Sequence, residues 1–294
     1  MKIINIVILS IVFSFQAIAQ NYSPFYNLGT KGHSISQTVS NINKHAVAAG
    51  FDKIGAYAPG NQDDLYVLVF TNSSTISITS KAQKQGVMAA TYRIGLELID
   101  NKVQISAVNP VYQWISYLGE NYKKVSALLK PNENEFLSFC KTIGNGSLTP
   151  FGGKVKADDL EEYQYMFGMP YYNDQEKLAK FSSHSIAKKT IENKLKSTPG
   201  IVHIYTLKDP NRDVIIYGVG LVDQEKGEKH FLSIIGQKHV AALPYELILE
   251  DNEAKMLHGR FRFALYWPEL TMGTFTQIMS TPGDVEDMLE QLVE

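Results

Sequence analysis

The chain has 294 residues, 44% of them hydrophobic, with 28 basic and 30 acidic side chains and a formal charge of −2. A chain of this size buries enough apolar surface for one or two domains without disulfide or metal staples. The near balance of charge excludes a general attraction to nucleic acid or to an anionic membrane surface, and the single cysteine, Cys140, excludes an intrachain disulfide.

The first element is a leader. Lys2 precedes an apolar run from Ile3 to Phe15, and Ala17-Ile18-Ala19 supplies the small residues of a signal-peptidase site, so residues 1–19 read as a signal peptide cut after Ala19. The expected product is periplasmic or secreted and soluble, with no stable membrane insertion, because no later segment reaches 18 consecutive apolar residues. Cys140 then reads as a small buried hydrophobe.

Residues 20–35 show no periodicity and read as an extended arm. A first unit spans residues 36–130. Val39, Ile42 and Ala46 fall at helical spacing up to Gly50, Phe51 to Tyr57 and Leu65 to Phe70 read as strands around Pro59-Gly60, and the stretch from Asn72 to Gln85 leans towards helix. Thr91 to Leu98 and Lys102 to Val108 form a hairpin about Asp100-Asn101. Asn109-Pro110 then opens a helix that Gly119 ends, Asn109 capping it and Pro110 losing no hydrogen bond in the first turn. Residues 131–183 form a connecting segment. It holds the densest aromatic and methionine cluster of the chain, Tyr163 to Tyr172, including Tyr165, Met166, Phe167, Met169, Tyr171 and Tyr172. Such a run is costly to leave in water, so it packs between the two units or forms a ligand or partner surface.

A second unit, residues 184–294, repeats the first. Gly50 matches Gly200; Val87, Ala89, Tyr92, Leu96 and Glu97 match Val240, Ala242, Tyr245, Leu249 and Glu250; Pro110 matches Pro268; and Val125, Leu128 and Leu129 match Val285, Met288 and Leu289. The spacing between partners only grows, which places insertions in loops, the largest in the second hairpin. Two long copies make a pair of domains and not a solenoid.

At the hairpins the sequence resembles the bacterial domain of unknown function 302. The resemblance rests on Ala-Leu-Pro-Tyr-Glu-Leu-Ile-Leu-Glu-Asp from Ala242 to Asp251, a short turn, and a strand running into Asn109-Pro110 in the first unit or Trp267-Pro268 in the second; Thr91, where the second unit has Pro244, departs from it. It implies an α+β fold, each unit an antiparallel sheet with helices packed on one face, TATA-binding-protein-like. The two copies would form a pseudo-dimer about one pseudo-twofold axis, as a monomer or a homodimer. It implies no activity.

Read as a continuing strand, residues 258–265 place His258, Arg260, Arg262 and Ala264 on one face and Phe261, Phe263 and Leu265 on the other. The first face suits a carboxylate, sulfate or phosphate, or else it is solvated or paired with Glu246, Glu250 or Glu253. Lys102 matches Arg260 in the first unit, and Tyr92 and Tyr245 complete the candidate ligand set. The scattered histidines give no metal spacing, and no nucleotide or cofactor fingerprint is present, so no cofactor is expected. The sequence fits best an exported binding module for a small organic or anionic ligand. A structural or protein-interaction module is the alternative. An enzyme fits least, since no nucleophile and base pair can be named.

Overall fold

A computed structural model describes residues 20–32 and 34–294. The expected leader, residues 1–19, and His33 lie outside the described residues. The chain is α+β, with every paired strand antiparallel. Among the described residues no helix is long and apolar enough to cross a membrane.

The first half runs β1 (Asn21–Tyr22), β2 (Phe25–Thr30), α1 (Ile35–Ala48), β3 (Asp52–Tyr57), β4 (Leu65–Thr71), α2 (Ser73–Ala82), β5 (Tyr92–Ile99), β6 (Lys102–Val108), α3 (Pro110–Leu118) and α4 (Asn121–Ile143). Short elements follow: β7 (Thr149–Phe151), β8 (Val155–Lys156) and α5 (Ala157–Glu161). The second half runs β9 (Glu176–Lys180), α6 (His184–Lys194), β10 (Ile201–Lys208), β11 (Val214–Leu221), α7 (Glu228–Ile235), β12 (Tyr245–Glu250), β13 (Glu253–Met256), α8 (Gly259–Tyr266), α9 (Met272–Phe275) and α10 (Thr281–Glu290). The large sheets are ordered β3-β4-β5-β6-β2-β7 and β10-β11-β12-β13-β9. Without β7 the two orders are the same, each built as strand, helix, two strands, helix, hairpin, helix.

The residues that start and stop these elements recur as well. Ser34 accepts the Gln37 amide at the head of α1, and Ser183 accepts the Ile186 amide at the head of α6, each at 3.3 Å. Gly50 and Gly200, with φ of +74° and +75°, turn the chain into β3 and β10. In the first hairpin Asp100 and Asn101 both take positive φ, which short polar side chains tolerate, and Asp251 does so in the second.

Several expectations are corrected here. The arm at residues 20–35 contains β2, which lies inside the sheet between β6 and β7 with Phe25 and Leu28 fully buried. Its counterpart, β9, falls in the connecting segment and pairs with β13. The second hairpin has no insertion: its turn, Asp251-Asn252, is as short as Asp100-Asn101. Strand β13 stops at Met256, and the residues read as its continuation form α8, so Trp267-Pro268 follows a helix and not a strand. The stretch from Asn72 to Gln85 is helical over α2, as expected.

Phe51, Phe70, Tyr92, Phe136 and Phe139 fill the space between the first sheet and α4. The other face of that sheet meets the second half. A Cβ on Gly95 of β5 would lie 2.7 Å from the Ala241 amide nitrogen, so only glycine admits the turn at residues 240–242. The edge strands β3 and β10 also lie against each other, each carrying a bulge, at Ile54 and at Ile204.

Candidate functional site

Helix α8 sorts the basic residues. His258 caps it, its Nδ1 accepting the Arg260 amide at 3.1 Å. With 3.6 residues per turn, Phe261, Arg262, Phe263, Leu265 and Tyr266 turn inward, while Arg260 stays exposed and His258 and Ala264 half-buried. The expected single basic face is therefore split, because residues two apart on a helix do not share a side as they do on a strand.

Arg262 is bound within the protein. Its Nη1 lies 3.0 Å from a Glu246 carboxylate oxygen, and its Nη2 donates to the carbonyls of Ala242 at 2.7 Å and Pro244 at 2.5 Å. From the first half, Arg93 donates to the same Ala242 carbonyl at 2.8 Å and pairs with Glu246. The side chains of Arg93, Glu246 and Arg262 are 0%, 3% and 3% exposed. Burial works against the Arg93 charge, but Glu246 beside it, together with Tyr266, Tyr205 and Tyr117, outweighs that and raises its pKa. Aromatic faces complete the cluster: the Arg262 guanidinium lies 4.5 Å from the Tyr245 ring centre and 5.4 Å from that of Tyr266. A set so enclosed joins the halves and has no face to offer a ligand. The candidates Arg262 and Tyr245 belong to it.

The remaining candidates separate. Tyr92 is buried in the first core with its hydroxyl 2.6 Å from Thr75 Oγ1. Lys102 is exposed at the tip of the first hairpin. The Nε2 of His258 faces Glu176 at 3.2 Å; burial, and secondarily the nearby Arg260, lowers its pKa against the pull of Glu176.

Arg260 meets the aromatic segment. Tyr165, Met166 and Met169 form one wall of an open cleft, Arg260, Phe263 and Ala264 of α8 the floor, and Trp267, Leu270, Met272 and Phe275 the other wall. Its empty space, mouth included, is about 450 Å³. Hydrogen bonds hold the walls in place: Tyr163 donates to the Ala264 carbonyl at 2.7 Å, Tyr165 to that of Leu270 at 3.3 Å, and Gln164 closes the turn through the Met169 carbonyl at 2.6 Å. Gly168, with φ of +83°, makes that turn.

The aromatic cluster thus divides. Tyr163 and Tyr172 pack inward, Tyr172 against Tyr117 and Phe261. Phe167 is 100% exposed and Tyr171 partly so, so these two do not pack between the units. Among the described residues, Arg260 has no carboxylate within ion-pair distance, and it also lines a second, polar cleft with Glu176, His258, Ser280 and Glu286. No group of three or more His, Cys, Asp or Glu among the described residues is placed to hold a metal ion.

Scans of this chain against protein-family models, curated proteins and solved structures find no match.

Proposed function

We propose that this chain is a binding protein for a small, largely apolar organic molecule held in the cleft between the aromatic segment and α8. The observation that carries this reading is the cleft itself, whose walls come from segments about a hundred residues apart in sequence and are almost entirely apolar. Among the exposed large apolar side chains, Tyr165, Met166 and Met272 line the cleft, and Phe167 and Tyr171 stand beside it on the aromatic segment, a concentration that marks a functional surface. The methionines suit an adaptable wall.

In the same reading the two halves are diverged copies of one TATA-binding-protein-like domain of the domain of unknown function 302 kind, arranged as a pseudo-dimer. The matching strand orders support this. The leader-like residues 1–19 support a working place outside the cytoplasm.

The test is binding of the neutral fluorophore N-phenyl-1-naphthylamine to the chain and to Ala264→Trp, which fills the floor of the cleft. Saturable binding to the first, reduced at least tenfold in the second, is expected; equal binding by both removes the cleft as the site. The exposure of Phe167 favours a second reading, a surface for a protein partner, in which Phe167→Ser abolishes partner capture and leaves the fluorophore bound.

A further inference from the structure

We infer that the occupant of this cleft carries a single negative charge, a carboxylate on a short apolar chain, seated against Arg260; this rests on the cleft being a ligand site. Three observations converge. Arg260 is the charged residue of an otherwise apolar lining, and it stands where that lining meets the polar cleft. Among the described residues its guanidinium has no ion-pair partner, whereas Arg93 and Arg262, the buried arginines, are both held by Glu246. A guanidinium presents two parallel donors to a carboxylate, and an apolar surround strengthens such a contact relative to water.

The carboxylates nearby set the charge. Glu176 and Glu286 line the polar side that Arg260 also faces, with Glu176 3.2 Å from His258. A monoanion on Arg260 is matched one to one, while a dianion brings surplus charge towards those two acids. The chain length follows from the space: about 450 Å³ counts the open mouth as well, so the enclosed part admits at most one short tail and not the paired tails of a phospholipid.

The test uses displacement of N-phenyl-1-naphthylamine by decanoate, decanol and decyl phosphate at pH 7.5, on the chain, Arg260→Gln and Arg260→Lys. Decanoate is expected to bind about tenfold tighter than decanol, as one charge-assisted contact at a partly exposed site provides, and tighter than decyl phosphate. Arg260→Gln should remove the difference between decanoate and decanol without changing decanol, and Arg260→Lys should restore part of it. Equal binding of decanoate and decanol, an equal loss of both in Arg260→Gln, or tighter binding of decyl phosphate overturns the carboxylate assignment and leaves the cleft standing. Failure of the fluorophore and of all three competitors to bind removes both.

Discussion

The hydroxyl of Tyr117 lies 3.0 Å from that of Tyr266, and each tyrosine is the eighth residue of the helix after its half's last hairpin. The relation extends around them. Gln113 and Arg262, each the fourth residue of that helix, donate to carbonyls one and three residues before the following hairpin's first strand: Thr91 and Ala89 in one half, Pro244 and Ala242 in the other. Arg93 and Glu246 are each the second residue of that strand. Replacing Tyr266 by Phe leaves the Tyr117 hydroxyl without this partner and should lower stability by about 1 kcal/mol. Adding Tyr117→Phe should cost less than that substitution does alone, a coupling that urea unfolding of the four proteins measures.

Glu246 is the anion between two buried guanidiniums. Glu246→Gln leaves both uncompensated and should destabilise by roughly 3–5 kcal/mol, whereas Arg262→Met, which keeps the pair Arg93–Glu246, should cost clearly less. Chemical denaturation midpoints compare them. A smaller loss for Glu246→Gln than for Arg262→Met would contradict a cluster centred on the carboxylate.

Glu228 ties α7 to the first half. Its carboxylate accepts from the Tyr57 hydroxyl at 2.7 Å and from the amides of Gly60 and Leu221, each at 3.1 Å. Burial pushes its pKa up to about 7, against those hydrogen bonds. The unfolded chain releases this proton near 4.5 and the folded one holds it until about 7, so this group's contribution is full below the first value and falls as pH rises to the second. The full loss is on the order of 3 kcal/mol. Stability curves at pH 4.5 and 7.5 should show that slope in the parent and not in Glu228→Gln.

His239 slopes the other way. It is buried among Phe25, Phe151 and Trp267, with centroids 4.9, 5.5 and 5.6 Å away. Burial, aided by Lys238, lowers its pKa to about 4 against the pull of Glu269. The unfolded chain takes up this proton near pH 6.5, so stability is full above that value and lost as pH falls to about 4. His239→Phe, which suits the aromatic surround, should be less acid-sensitive than the parent when midpoints at pH 4 and 7 are compared.

Gly55 of β3 sits against β10. A Cβ there would lie 2.5 Å from the Ile204 carbonyl oxygen, so Gly55→Ala must push the two edges apart and should cost roughly 1–3 kcal/mol. Gly283→Ala, with nothing within 4 Å, is the control and should leave the thermal midpoint nearly unchanged.

Most elements of the first half were legible because their signals are local: Asn109 at a helix start, Gly50 at a helix end, Asp100-Asn101 in a tight turn. Strand β9 was not, since Glu-Lys-Leu-Ala-Lys at a sheet edge has too little alternation to stand out. Nor was α8. The sequence Gly-Arg-Phe-Arg-Phe-Ala-Leu-Tyr alternates as a strand does, yet the short second hairpin ends β13 at Met256 and the chain then coils over the sheet. That one difference in period moved Arg262 from a presumed surface to the centre and separated it from Arg260. Of the cleft, the sequence showed the aromatic and methionine wall but not what faced it, because contacts over a hundred residues leave no local trace.

The meeting of β3 with β10 has a bearing on solubility in crowded surroundings. A strand at the margin of a sheet exposes unfinished hydrogen bonds, and a second molecule can add itself there and begin an aggregate. Here two such margins, bent alike by their bulges, shelter one another. At the far ends the first sheet finishes in a strand of three residues containing Pro150, and the second in β9, guarded by Lys177 and Lys180. The chain can therefore carry an apolar mouth on its surface while offering little template for uncontrolled association.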